Sequence, residues 1–89
     1  MHCLIRGRVQ GIGFRWYARS KAAELELAGW CANLLDGRVE VWAQGNDARV
    51  EAMVQWLHRG PPAARVDEVI VERGPGSEFS APPHARIPF

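Results

Sequence analysis

Gly7-Arg8-Val9-Gln10-Gly11-Ile12-Gly13-Phe14-Arg15 is the stretch on which the reading of the fold turns. Before it, Cys3 to Ile5 are small or apolar and suit a β-strand; from Phe14 onward apolar residues recur at helical spacing. The glycines therefore stand at a strand-to-helix turn. There the first N–H groups of the helix lack an internal partner, successive amides of a curled loop form a concave anion site, and the helix dipole favours negative charge. Gly11 and Gly13 let the backbone curl and approach a ligand closely. Arg15 adds a planar, permanently charged fork matched to phosphate oxygens. The glycine spacing is not that of a dinucleotide fingerprint, and no Gly-Lys-Ser/Thr follows, so neither familiar nucleotide loop applies.

Outward from this loop the chain alternates in type. Met1 to Arg8 forms the first strand, and a helix runs from Phe14 to about Leu25 with Phe14, Ala18, Ala22 and Leu25 toward the sheet and Arg19, Lys21, Glu24 and Glu26 toward solvent. Trp16 and Tyr17 are expected to be partly buried against the sheet edge. Trp30 to Leu34 is the second strand, Asp36-Gly37 a hairpin turn, and Arg38 to Gln44 the third strand, with Val39, Val41 and Ala43 on one face and Arg38, Glu40, Trp42 and Gln44 on a partly open one. Asn46 or Asp47 caps a second helix with the apolar stripe Val50, Met53, Val54 and Leu57. Met53 and Trp56 read as packing residues, and Gly60-Pro61-Pro62 ends the helix. Ala64 to Arg73 is the fourth strand. Its alternation is imperfect, with Val66 and Ile70 on one face and Val69 and Val71 on the other. A turn follows at Gly74 to Glu78. In the tail, Ala85, Ile87 and Phe89 alternate as a short fifth strand would, and Pro88 demands an edge or terminal position. The order β-α-β-β-α-β is the ferredoxin-like split βαβ arrangement: an α+β sandwich of two helices on an antiparallel sheet, in one domain over residues 1–89.

The loop closely resembles that of the acylphosphatases, whose pattern is Gly-x-Val-Gln-Gly-Val-Gly-Phe-Arg; only Ile12 differs. Two further family segments have counterparts here, Gly29-Trp30-Cys31-Ala32-Asn33 with Asp36-Gly37-Arg38-Val39-Glu40, and Gly60-Pro61-Pro62-Ala63-Ala64-Arg65-Val66. The resemblance covers most of the chain and weakens after Phe79. It implies hydrolysis of carboxyl–phosphate anhydrides, with Arg15 as the phosphate-binding arginine and Asn33 as the residue that positions water. Relatives usually carry glycine where Glu26 stands, at a left-handed helix end, so Glu26 either takes that strain or the helix continues to Gly29. Ala32 stands where many relatives have a basic residue.

Composition narrows the alternatives. The 89 residues suffice for one domain with a modest core, and a hydrophobic content of 47% argues against disorder. A formal charge of +1 suggests no bulk attraction to nucleic acid, although ten of the eleven basic residues are arginines, which suit local anion sites. Arg6 and Arg8 interrupt the only early apolar run, and no run is long enough to span a membrane, so the expected location is cytoplasmic. Cys3 and Cys31 read as buried strand residues rather than a disulfide. No His or Cys pair has zinc-ligand spacing, so no metal and no cofactor is expected. His2, His58 and His84 are dispersed, without visible partners.

The chemistry expected of the loop is electrostatic. An acyl phosphate has a weakly basic leaving group, so the barrier lies in bringing water to an anionic phosphoryl group. Oriented amides from Gln10, Gly11, Ile12, Gly13 and Phe14, together with Arg15, reduce that barrier. Gln10 either ties the loop through its side chain or touches substrate, the two readings weighing equally. The carboxamide of Asn33 accepts from and donates to a water held in line with the departing oxygen; it lacks the basicity of a general base. Inorganic phosphate or sulfate is the expected site ligand and water the nucleophile, in a monomer. Two other readings share this topology. An RNA-binding module would need exposed aromatics on the central strands, where Trp30 and Trp42 stand. A non-catalytic anion-binding domain, or a segment of a larger carbamoyl-transfer protein, is the second; the short chain favours a stand-alone enzyme.

Overall fold

Strand alternation and helical periodicity divide the chain as its local chemistry requires. The computed structural model describes residues 1–74 and 78–89. Its elements are β1 (His2–Arg8), α1 (Phe14–Glu24), β2 (Ala28–Asn33), β3 (Val39–Gln44), α2 (Asp47–Arg59), β4 (Arg65–Glu72), a 3-10 turn at Pro83–Ala85 and β5 (Ile87–Pro88). The sheet runs β4-β1-β3-β2-β5, antiparallel throughout. The helices cover one face, and the short fifth strand is an edge, where the missing donor of Pro88 is tolerated. Among the described residues no helix is long and apolar enough to cross a membrane. The turn expected from Gly74 to Glu78 has its centre, 75–77, outside the described residues.

The main core lies between helices and sheet. Phe14, Ala18 and Ala22 of α1 and Met53, Val54 and Leu57 of α2 meet Cys3, Ile5, Cys31, Val39, Val41 and Ala43. Small alanines let α1 approach the sheet, while Phe14, only 2% exposed, fills the space at its start, its ring 6.0 Å from that of Trp56. Burial of that one side chain stabilises the loop-to-helix junction by about 1.5–3 kcal/mol. Cys3 and Cys31 both pair with Val41 from opposite sides. They are thus two strand spacings apart, roughly 9–10 Å, beyond disulfide reach, and both are free.

The imperfect alternation of β4 has a specific cause. The register with β1 passes from Arg6↔Glu68 to Gly7↔Val66, so Asp67 is an extra residue on β4. The bulge brings Val66 back to the same side as Val69 and Val71, and all three pack on the main core. Val66 therefore does not share a face with Ile70, which points away and is 45% exposed.

The other face of the sheet is partly open, as expected, along β4, where Glu68, Ile70 and Glu72 are exposed, but it is covered over β2 and β3. The tail crosses it there. Phe79 meets the rings of His2, Trp30 and Trp42 edge-on at 5.2, 5.2 and 6.3 Å. The Arg86 guanidinium lies 4.7 Å over Trp30 and donates to the Ala81 carbonyl. Glu40 is fully buried, accepting from the amides of Ser80 (2.8 Å) and Ala81 (2.7 Å) and lying 2.7 Å from His2 Nε2. Burial pushes its pKa up, but the two amides and His2 outweigh that, and the carboxyl is held below its usual range. His2 thus has the partner that its isolation in sequence concealed. The same cover withdraws Trp30 and Trp42 from the stacking role that RNA recognition would need.

Candidate active site

The site begins at the contrast between the two helix starts. The start of α2 is filled by its own chain: Asn46 accepts from the amides of Ala48 and Arg49, and Asp47 places a carboxylate in the first turn. The start of α1 has neither. Its cap is Gly13, at φ 79°, with no side-chain hydrogen bond and no acidic residue in the first turn. Gly11 is also left-handed, at φ 76°. These two positive angles, which L side chains seldom adopt, curl the loop directly before the start of α1.

The loop is fastened to the opposite wall by Gln10. Its Nε2 donates to the carbonyls of Leu34 (2.8 Å) and Arg38 (2.9 Å). Those carbonyls belong to the β2–β3 connection, a five-residue turn closed by Leu34 N to Arg38 O at 2.8 Å and Gly37 N to Leu34 O at 3.1 Å. Asn33 is the residue before that connection, at the end of β2. A side-chain tie at Gln10 therefore sets the distance between the loop and Asn33. Of the two readings open for Gln10, this is the one its side chain adopts.

Loop and strand end border one cavity of about 300 Å³. Gly11, Gly13, Phe14, Arg15 and Asn33, all named from sequence, line it; Gln10 and Ile12 do not, Ile12 instead packing half-buried against the main core. Trp16, Arg19 and Ile87 complete the wall with Val9. Trp16 was expected to be partly buried, yet it is 66% exposed and stands beside the cavity, edge to face with Tyr17 at 5.0 Å. Arg19 had a usable signal, since four residues after Arg15 on a helix is the same side one turn on. Ile87 had none, because only the tail's path over the sheet brings it there.

The lining contains two guanidinium groups and no carboxylate or imidazole, a composition for an anion. Among the described residues no carboxylate forms an ion pair with Arg15, and no group of three or more His, Cys, Asp or Glu side chains gathers as a metal site. The Oδ1 of Asn33 is buried without a protein hydrogen-bond partner, so that end of the carboxamide is not committed to the fold. Below the cavity, burial pushes the Cys31 thiol up to about 11, with Arg15 and Arg19 only partly offsetting it. It stays protonated near neutrality and is no nucleophile.

Comparison with known proteins gives this arrangement a family. The family model described as acylphosphatase matches residues 1–81. The chain belongs to the acylphosphatase family. It is 44% identical over 81 residues to an acylphosphatase of Acaryochloris marina, covering 91% of this chain and 87% of the relative. The crystal structure of the acylphosphatase from Bacillus subtilis superposes with a TM-score of 0.81 at 35% identity, covering 86% of each chain. Full-length HypF, in its phosphate- and nucleotide-bound form, contains a similar unit: TM-score 0.74 and 27% identity over 89% of this chain but 11% of that one. Among acylphosphatases the ferredoxin-like sandwich is thus shared, and the family match stops at Ala81, within the tail that lies across the sheet.

Proposed function

We propose that this chain hydrolyses acyl phosphates to a carboxylate and orthophosphate, acting as a cytoplasmic monomer with no metal or cofactor. The observation that carries the proposal is the meeting of the uncapped α1 start, Arg15 and Asn33 at one cavity whose lining has no carboxylate. Family membership supplies the reaction class.

In this reading the loop amides, those of Gly11, Gly13 and Phe14 at the cavity wall above all, and the Arg15 fork hold the phosphoryl oxygens and spread their charge. Asn33 orients a water so that its oxygen attacks phosphorus opposite the acyl oxygen. The new O–P bond forms as the acyl O–P bond breaks, and the bonding pair leaves with the carboxylate. The carboxylate is a weak base and departs without a protonated partner. The proton of the attacking water passes to a phosphate oxygen, because Asn33 has no basicity to take it.

The test is hydrolysis of benzoyl phosphate after exhaustive chelation, followed by orthophosphate release. Turnover inhibited competitively by inorganic phosphate is expected. A folded protein that binds phosphate but releases none from benzoyl phosphate would instead be an anion-binding domain.

A further inference from the structure

The cavity is larger than the chemistry at phosphorus requires. About 300 Å³ is roughly ten water volumes at about 30 Å³ each, more than the five heavy atoms of a phosphate fill. The additional wall is made by Trp16, Arg19 and Ile87. Arg19 follows Arg15 by one helical turn, a rise of roughly 6 Å. At this spacing both fall on the same side of α1, and both line the cavity.

Arg19 also has no carboxylate partner among the described residues. Arg6, Arg38, Arg49, Arg65 and Arg73 each form an ion pair with a carboxylate, and Arg86 is held over Trp30. Among the described residues Arg19 has no such partner; neither have Arg8 and Arg59, but those do not border this cavity, and no acidic residue lines it. The same is true of Arg15, which the phosphate occupies in the reading above. A substrate with one anionic group satisfies one of these forks; a second anionic group about one turn away satisfies both.

We infer that Arg19 recognises a carboxylate on the acyl side of the substrate, so that the chain favours acyl phosphates of dicarboxylic acids over neutral ones of equal length. The inference rests on the hydrolysis proposed above. In such a substrate the phosphorus and the distal carboxylate carbon are about five bonds apart, an extended reach of roughly 6 Å that matches the rise from Arg15 to Arg19, and the carbons between them lie between the apolar walls of Trp16 and Ile87. Its distal carboxylate then meets the planar Arg19 fork in a two-point contact.

The experiment compares succinyl phosphate with butyryl phosphate, a matched pair differing in the distal carboxylate, with spontaneous hydrolysis subtracted. In Arg19→Gln, kcat/KM for succinyl phosphate falls about five- to tenfold, the size of a charge-assisted contact that stays partly in water. For butyryl phosphate it changes by less than about twofold, and inhibition by inorganic phosphate is retained. Arg19→Lys restores part of the loss on succinyl phosphate. Equal losses on both substrates, or none on either, overturn the inference while leaving the hydrolase intact. Failure of the folded wild type to hydrolyse either substrate refutes the hydrolysis reading itself, and the inference with it.

Discussion

Replacing Glu40 by glutamine tests whether the tail is held by a buried carboxylate. In the native protein Oε2 accepts from Ser80 N at 2.8 Å and lies 2.7 Å from His2 Nε2, while Oε1 accepts from Ala81 N at 2.7 Å. A glutamine has one carbonyl oxygen and one NH₂ group. Whichever way it is turned, its NH₂ faces a backbone amide, donor against donor. One amide then loses its acceptor at about 1–3 kcal/mol, and the remaining bonds lose their charge assistance. The sum is a destabilisation of about 2–4 kcal/mol, a large share of the roughly 5–15 kcal/mol available to a small domain. For a domain of this size the melting temperature should fall by roughly 10–30 °C. Urea unfolding followed by tryptophan fluorescence is a suitable assay, because Trp30 and Trp42 lie under Phe79. The acid dependence adds a second reading. The folded pKa of Glu40 is depressed below its ordinary 4.5, so its contribution is complete above about that pH and is lost as pH falls through the lower folded value. The gap between wild type and Glu40→Gln should therefore be constant near neutrality and close in acid. A loss below about 1 kcal/mol at neutral pH, or a gap that does not narrow on acidification, would refute the assigned role.

Three further outcomes are expected. Asn33→Ala should lower kcat on benzoyl phosphate about 100-fold or more, as expected for a misplaced nucleophile, while inhibition by inorganic phosphate stays near wild type; near-normal turnover in a folded variant would exclude water positioning. Arg15→Ala should lose about 100- to 1,000-fold in kcat/KM together with most phosphate binding, and Arg15→Lys should remain poor because a point charge does not reproduce the fork; phosphate titration checks both. Glu26→Gly should stabilise the fold by about 0.5–1 kcal/mol, because Glu26 sits at φ 56° in the left-handed cap of α1, and its exposed ion pair with Arg49 contributes little; unchanged or lower stability in chemical denaturation would show that the strain is already offset.

What was legible in the sequence is what adjacent residues decide. The glycines of the loop, the spacing of Phe14, Ala18 and Ala22, the stripe Met53, Val54 and Leu57 and the alternation Val39, Val41 and Ala43 each express a local period, and each takes the place that period requires. The end of α1 is similar. The alternatives at Glu26 were visible, and the chain takes the strained one, because Leu27 N to Ala22 O (2.9 Å) and Glu26 N to Ala23 O (3.1 Å) close the helix there. The bulge at Asp67 left only an imperfect pattern, since a bulge is a property of two paired strands and appears in neither alone.

The path of the tail over the sheet is the part that local reading did not reach, and the reason lies in Glu40. In a strand of alternating residues a glutamate looks like any solvated charge, and burial is unfavourable unless every acceptor site is used. Its partners are Ser80, Ala81 and His2, about forty positions away in sequence in each case, so no local window contains the reason for its burial. The consequence reaches the site. Once Glu40 and the aromatics under Phe79 set the path of residues 78–89, β5 pairs with Trp30 and Cys31, and Ile87 arrives at the cavity wall. One side of β3 carries the core beneath the helices, and the other side fastens the segment that completes the cavity. The half of the site made by the loop and Arg15 is thus written in consecutive residues, whereas the half made by Ile87 depends on a carboxylate whose function only the folded chain discloses.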